Sequence, residues 1–258
     1  MRELLKFLLR SRSPRFVRDH YRAFSPGVLS SYQWNGLTIW YRPGSSDTEL
    51  VYKILLCGGL KGEYAIEPQV LAALGEVRTV LDIGANIGVS AVFFSTLFPR
   101  ARVIAFEPSP DNVDLLRKNT ESVGRVEVVP LALGERDGTL ELFSSDAAAN
   151  FGGFSRFEAG SDVGRKTAVP VRHAGRQLAE LGVAGADVIK VDVEGSEWEV
   201  LSSLGEDFLS RTKYIAGELH GHRDFELFSL LDRHFRIAVR KRLQDRVFMF
   251  RALNRSTT

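Results

Sequence analysis

From Thr79 onward, short apolar runs alternate with amphipathic segments, and this rhythm constrains the fold more than any other feature of the chain. Runs at 79–83, 102–107, 126–131, 187–193 and 213–219 are rich in Val, Ile and Leu and short, as strands buried on both faces are. Helical spacing fills the gaps. Val89 to Phe98 is apolar, Asp111 to Val123 places Val113, Leu116 and Thr120 at helical intervals, and Trp198 to Leu204 follows the fourth run. Strands alternating with helices predict βαβ units and a mostly parallel, doubly wound α/β sheet.

The chain closes with Phe235–Arg240 and Val247–Phe250 around a Gln244-Asp245 turn region, which reads as a C-terminal antiparallel hairpin. The sheet then has seven strands, the last running back beside its predecessor. The stretch 131–186 is longer than one crossover needs. It is expected to hold a strand pair at 139–143 and 168–172 around a Gly-rich, polar loop at 144–165, a length typical of lids and binding loops. The front is patterned less clearly. It shows an aromatic strand-like stretch, Leu37 to Tyr41, a turn at 43–46 and a helix-like segment from about Ile66 to Leu74. Residues 1–60 are read as an N-terminal extension and 61–258 as the main domain.

Composition narrows the function classes. The 258 residues suffice for one large domain, and a formal charge of +2 gives no reason to expect a nucleic-acid partner. A single cysteine, Cys57, excludes a disulfide framework and a Cys-rich zinc site, and reads as a small, semi-buried apolar residue. No apolar run approaches the roughly 20 residues of a membrane span. The expectation is a soluble, cytoplasmic protein. Leu4-Leu5-Lys6-Phe7-Leu8-Leu9 is broken by Lys6 and followed by Arg10, Arg12, Arg15 and Arg18, which is unlike a signal peptide. Met1 to Arg22 carries seven Lys/Arg against two Asp/Glu. Such a basic amphipathic helix can sit on an anionic membrane. The reading favoured here packs its Leu/Phe face on the domain and solvates its arginines.

Two motifs carry the chemistry of a ligand site. Val80-Leu81-Asp82-Ile83-Gly84-Ala85-Asn86-Ile87-Gly88 is a strand opening into a Gly-bearing turn and a helix. Gly84 permits a tight turn close to a ligand, Gly88 permits close packing at the helix start, and Asp82 supplies a fixed charge beside them. Asn86 replaces the middle glycine of the dinucleotide fingerprint, which argues against a pyrophosphate cradle. The next strand ends in Phe106-Glu107-Pro108, 25 positions after Asp82. A carboxylate there can accept hydrogen bonds from both hydroxyls of a ribose, and Pro108 stops the strand.

Together with Ile189-Lys190-Val191-Asp192-Val193-Glu194-Gly195-Ser196-Glu197, these segments resemble the FkbM-type S-adenosylmethionine-dependent methyltransferases over roughly residues 60–251. The resemblance implies a Rossmann-like class I methyltransferase fold, S-adenosylmethionine as donor, and O-methylation of a hydroxyl on a small molecule, sugar or natural product. It implies cofactor-binding roles for Asp82, Gly84, Asn86, Gly88 and Glu107, with Ala85, Pro108 and Asp192 beside them.

The residues also speak for themselves. Positions two apart share a strand face, so Lys190, Asp192 and Glu194 line up toward the end of the fourth strand, where open α/β sheets bind ligands. A lysine in an apolar strand needs a partner, and Asp192 is the near candidate. Glu218 and His220 repeat the spacing at the end of the fifth strand. If the strands are neighbours, Asp192, Glu194, Glu218 and His220 converge as the catalytic group. An alcohol must lose its proton during attack, which calls for a base. His220 has the ordinary pKa for that role, with Asp192 or Glu194 as alternatives. The same four groups could ligate Mg²⁺ or Mn²⁺, which the chemistry does not require. Glu197 is as readily a partner for backbone N–H groups at its helix start. His222 is read as solvated, and Trp34, Trp40 and Tyr41 as packing residues. Two other classes stay open at this point: an NAD-dependent oxidoreductase, and a non-catalytic interaction module docked to a membrane by the basic N-terminus.

Overall fold

The computed structural model describes residues 2–57, 62–143, 166–241 and 247–257. The expected loop at 144–165, the turn at Gln244-Asp245 and the boundary at 60/61 lie outside the described residues. The order begins with helices α1 (Arg2–Ser11) and α2 (Pro14–Tyr21), then strands β1 (Ser30–Trp34) and β2 (Leu37–Tyr41). Helix α3 (Asp47–Leu50) runs into a π-helical turn at Val51–Leu56, and α4 spans Pro68–Leu74. The repeating part follows as β3 (Thr79–Ile83), α5 (Val89–Leu97), β4 (Arg102–Phe106), α6 (Pro110–Thr120), β5 (Val126–Val129), β6 (Ala132–Gly134), β7 (Gly138–Phe143) and β8 (Lys166–His173). The chain then forms α7 (Ala174–Glu180), β9 (Val188–Val191), α8 (Glu197–Ser202), α9 (Glu206–Arg211), β10 (Tyr214–Leu219), α10 (Asp224–Leu231), β11 (Phe235–Arg240) and β12 (Phe248–Asn254).

Seven strands form the central sheet in the order β11-β12-β10-β9-β3-β4-β5. The pairs from β10 to β5 are parallel, and β12 inserts antiparallel between β10 and β11. The alternation of side chains divides two cores. Val80, Val103, Ala105 and Val188 face a layer holding α1, α2, α5 and α6, while Leu81, Ile104, Phe106 and Ile189 face α7 to α10. Reading the sheet as doubly wound with a terminal hairpin therefore describes what forms. The 139–143 and 168–172 pair is present as antiparallel β7 and β8, and a third strand, β6, joins β8 in parallel. Among the described residues no helix is long and apolar enough to cross a membrane.

The front of the chain packs on the sheet's first face. Phe7, Phe16, Ile39 and Tyr41 share one hydrophobic cluster with Val80 and Val103. Asn119 of α6 binds both the N–H and the carbonyl of Trp40 and the carbonyl of Ile87, tying β2 to the turn after β3. One expectation needs correction: the leucines of α1 do not pack. Phe7 stacks between Phe16, His20 and Tyr52, but Leu4, Leu5, Leu8 and Leu9 remain 37–66% exposed. The docked face of α1 runs through Phe7 and Ser11, and the leucines lie around the cylinder from it. Cys57 is buried as anticipated, yet Arg10 of α1 reaches its Sγ at 3.0 Å, a neighbour that local sequence does not reveal.

Candidate active site

At the carboxyl ends of β3, β4 and β9 the chain leaves the sheet in different directions, and a cleft opens between them. Its lining includes Gly84, Asn86, Glu107, Pro108, Asp192 and Glu194, with Phe106 and leucines of 131–142 as apolar walls. It encloses about 750 Å³ with the solvent at its mouth, which suits a small molecule.

The turn after β3 is built by backbone. Gly84 and Ala85 donate N–H bonds of 3.0 and 2.9 Å to the Phe106 carbonyl. Gly84 has φ +78°, and a Cβ there would overlap the Asp192 carbonyl oxygen, so only glycine lets β3 and β9 close together at this rim. Gly88 at φ +86° fits against Leu116 of α6, where a Cβ would stand 2.6 Å from Cδ1. Asn86 adopts φ +51°, which asparagine tolerates, and its Oδ1 accepts the Ile87 N–H at 2.8 Å.

Glu107 is 5% exposed and aimed at this turn. Oε2 accepts the Asn86 N–H and Oε1 the Ser109 N–H, each at 2.9 Å, and Asn112 Nδ2 approaches Oε1 at 3.4 Å. Burial raises its pKa against the pull of these donors. Asn112 is in turn fixed by Arg42, which donates to its Oδ1 at 2.8 Å while forking onto Asp47 at 2.7 and 2.9 Å. A buried chain of polar contacts thus runs from the N-terminal region to the cleft.

Asp82, Ala85 and Gly88 are brought to the same turn but sit behind it, outside the cleft's lining. Asp82 is fully buried, accepts the Ser90 hydroxyl at 2.7 Å, and lies 3.4 Å from Lys190 Nζ. Asp192 is farther, at 3.8 Å, so the nearer partner of the buried lysine is Asp82. Lys190 also donates to the Ile83 carbonyl at 3.3 Å and to the Gly84 carbonyl. Burial works against its charge, but Asp82 and Asp192 outweigh it, and its pKa stands above the ordinary value. This ammonium clamps the carbonyls of the turn.

The second cluster assembles as anticipated, because β9 and β10 are neighbours. His220 Nε2 lies 3.4 Å from Glu194, 3.6 Å from Glu218 and 3.9 Å from Asp192. Its Nδ1 meets Glu197 Oε1 at 3.0 Å. Glu197 is 1% exposed, and the same oxygen accepts the N–H groups of Val193 and Gly195 at 3.0 and 3.3 Å. It therefore satisfies the backbone at its helix start and also holds the imidazole. Burial alone would lower the His220 pKa, but Glu197 and the surrounding carboxylates carry it to about 9. The ordinary pKa on which the reading of His220 as the base rests is therefore displaced upward in this cluster. Burial, then Asp192, raises Glu194 to about 7, and the same two causes push Glu218 upward. Glu194 occupies φ +54°, a left-handed conformation unusual for its type and concentrated at functional sites.

Two participants carry no local signal in the sequence. Tyr64 is 2% exposed and donates to Asp192 Oδ2 at 3.1 Å, and burial holds its phenol well above its ordinary pKa. Asn112 could have been suspected only as a polar residue one helical turn past Glu107. His222 sits 3.4 Å from Glu199 and away from the cleft. Tyr41 is fully buried, and Lys118 Nζ lies 3.7 Å from the centre of the Trp40 ring, so both are packing residues.

A glycine-bearing turn after the first parallel strand, a carboxylate at the end of the second, and a last strand inserted antiparallel define a class I methyltransferase fold. The model of the methyltransferase FkbM domain matches residues 82–248, more than half of the chain, and the protein belongs to that family. The resemblance read from the three motifs is borne out. The chain is 33% identical over 167 residues to the hexuronic acid methyltransferase AglP of Haloferax volcanii, covering 64% of this chain and 65% of that one. It is 30% identical over 168 residues to the 31-O-demethyl-FK506 methyltransferase FkbM of Streptomyces tacrolimicus, covering 55% and 65%. Over 164 residues it is 26% identical to the 2-O-methyltransferase NoeI of Sinorhizobium fredii, covering 58% and 65%. The matches thus span about 65% of the length of these relatives. The solved FkbM methyltransferase of Methylobacillus flagellatus aligns with TM-score 0.47 and 18% identity, over 68% of this chain and 43% of that one.

Proposed function

We propose that the protein transfers a methyl group from S-adenosylmethionine to a hydroxyl of a sugar or other small molecule. The observation that carries this reading is a single cleft whose lining runs from Glu107 to Asp192 and Glu194. One end suits an adenosyl group and the other suits an alcohol.

The residues fit the cofactor. Glu107 Oε2 uses one of its two acceptor sites on the Asn86 N–H, and Oε1 uses one on the Ser109 N–H and shares the other only with the long 3.4 Å contact from Asn112, which a ribose hydroxyl can displace. The leucine and Phe106 walls suit a flat purine. Gly84, Asn86 and Pro108 frame the ligand, and Asp82, Ala85 and Gly88 act from behind by holding the turn. When bound, the cofactor supplies an electrophilic methyl on a positively charged sulfur.

The proton of the acceptor goes to Glu194. A general base works best with a pKa near the operating pH, and Glu194 stands at about 7 while His220 is already protonated. His220, held through Nδ1 by Glu197, presents Nε2–H toward the acceptor side and steadies the negative charge gathered there. Asp192, anchored by Tyr64, positions the hydroxyl. A divalent ion has one candidate seat among the described residues, where Asp192, Glu197 and His220 bring ligand atoms within 4.8 Å of one another. Two backbone N–H groups and the imidazole engage Glu197 Oε1, while its Oε2 is buried without a hydrogen-bond partner; the reading assigns no step to a metal.

The relatives' names support oxygen as the methylated atom in two cases and a hexuronic acid in the third. The test is to incubate the protein with methyl-labelled S-adenosylmethionine and a panel of uronic acids, hexoses and hydroxylated natural products. Label in an alkali-stable product is the expected result. Label only in an alkali-labile ester, which places the methyl on a carboxylate, or none in any hydroxyl compound, would overturn transfer to a hydroxyl.

A further inference from the structure

The first helix is docked through Phe7, Arg10 and Ser11 while its leucines face water. At 100° per residue, Leu4, Leu8, Leu5 and Leu9 sweep an arc of about 140°, starting next to the docked Phe7 and Ser11. Their exposures are 46, 37, 55 and 66%, and Tyr21, whose ring lies 6.4 Å from that of Phe7, adds another exposed apolar side chain at 56%. Four leucines on ten residues, left uncovered on an ordered helix, are not ordinary surface.

The charge around this stripe is mainly positive, with seven Lys/Arg against Glu3 and Asp19 from Met1 to Arg22. Between Leu4 and Arg22 the only acid is Asp19, and it is buried, accepting the hydroxyls of Ser30 and Tyr41. Lys6, Arg12, Arg15, Arg18 and Arg22 are all exposed. Arg15 and Arg18 lean toward Asp19 at 3.9 and 3.8 Å yet keep side chains 62 and 72% exposed. An apolar stripe flanked by Lys and Arg on a helix lying along the surface is the arrangement that rests in a lipid interface, with leucines at the acyl boundary and cations among anionic headgroups. A second copy of this chain is a poorer occupant, since a two-fold contact would set this basic rim against itself.

We propose that α1 and the segment through Arg22 form a docking surface for an anionic membrane. This goes beyond the methyl-transfer reading and does not depend on it.

The test is co-sedimentation of the full chain with vesicles of phosphatidylcholine alone and with added phosphatidylglycerol, alongside Leu5→Glu/Leu9→Glu and Arg12→Glu/Arg18→Glu. All four positions are exposed and remote from the cleft, so circular dichroism and S-adenosylhomocysteine affinity should match the parent chain. The expected result is binding to the anionic vesicles that weakens with salt and falls about tenfold in either double variant. Three results would overturn the proposal: no binding to anionic vesicles, equal binding to neutral ones, or unchanged binding by Leu5→Glu/Leu9→Glu. A dimer in solution that this variant dissociates would also overturn it, by showing that another copy covers the stripe. Loss of cofactor affinity is a separate failure and would count against the methyl-transfer reading instead.

Discussion

At the ends of β3 and β4 the cleft is held by backbone N–H groups, whereas at the ends of β9 and β10 it is held by charge. Glu107 is fixed by donors from Asn86 and Ser109, which stay put when a ligand enters. His220 is fixed by Glu197 and ringed by Glu194, Glu218 and Asp192, and the protonation of Glu194 and Glu218 depends on the charges around them. The difference suits the tasks. On the proposed reading, the cofactor meets a rigid cradle fixed by backbone donors, and the proton transfer meets groups whose charge can change near neutral pH. Lys190 joins the two halves, clamping the Gly84 carbonyl on one side and lying between Asp82 and Asp192 on the other.

That junction predicts the largest effect. Lys190→Met leaves Asp82 buried without its cation and should cost about 3–5 kcal/mol of folding stability, read by chemical denaturation. A loss under 1 kcal/mol would mean the halves are not coupled through it. Next, Glu194→Gln should lower kcat by roughly 10²–10⁴ while S-adenosylhomocysteine affinity stays within a few-fold. His220→Gln should do less, because the imidazolium donates rather than accepts. If His220 were the base, activity would keep rising through pH 9; with Glu194 in that role it rises around pH 7 and declines as His220 loses its proton near 9. Glu197→Gln sharpens this: without that charge the alkaline limb should move down by about one pH unit or more, a change that a merely structural glutamate would not produce.

The same shifts fix the sign of a stability change. His220 is raised from 6.5 to about 9, so its contribution is full below 6.5 and lost as pH rises through 9. Glu194, raised from 4.5 to about 7, loses stability in the same direction. The melting temperature should therefore fall as pH rises from 4.5 to 9, and His220→Gln should flatten the part of that slope between 6.5 and 9. The smallest effect is expected at the outer end of the polar chain. Arg42→Met frees Asn112 from one partner and should weaken cofactor binding by a few-fold, of order 1 kcal/mol, through looser positioning of Glu107. An unchanged affinity would confine the N-terminal region to packing.

Legibility in the sequence follows the same division. The parallel strands, the Asn86 turn and Glu107 were readable because each is a local pattern, and the contact from Glu107 to Asn86 spans only 21 positions. The charge-held half was readable as a set, since Asp192, Glu194, Glu218 and His220 sit at strand ends with fixed spacing. Its electrostatics were not. An ordinary histidine pKa suggested a base, and only the folded arrangement shows Glu197 bonded to Nδ1 with the other carboxylates close around Nε2. Tyr64 reaches Asp192 across 128 positions and Arg42 reaches Asn112 across 70, distances at which no motif forms. The exposed leucines of α1 were misread for a related reason: amphipathic spacing marks an apolar stripe, but it does not say what covers that stripe.

Titration calorimetry with S-adenosylhomocysteine on the parent chain and on Glu107→Ala tests the central claim most directly. The account predicts one site per chain in the parent and a loss of about 2–4 kcal/mol of binding free energy in the variant, from two ribose hydrogen bonds left unmade. Equal affinity in the two proteins, or no binding by the parent, would contradict it.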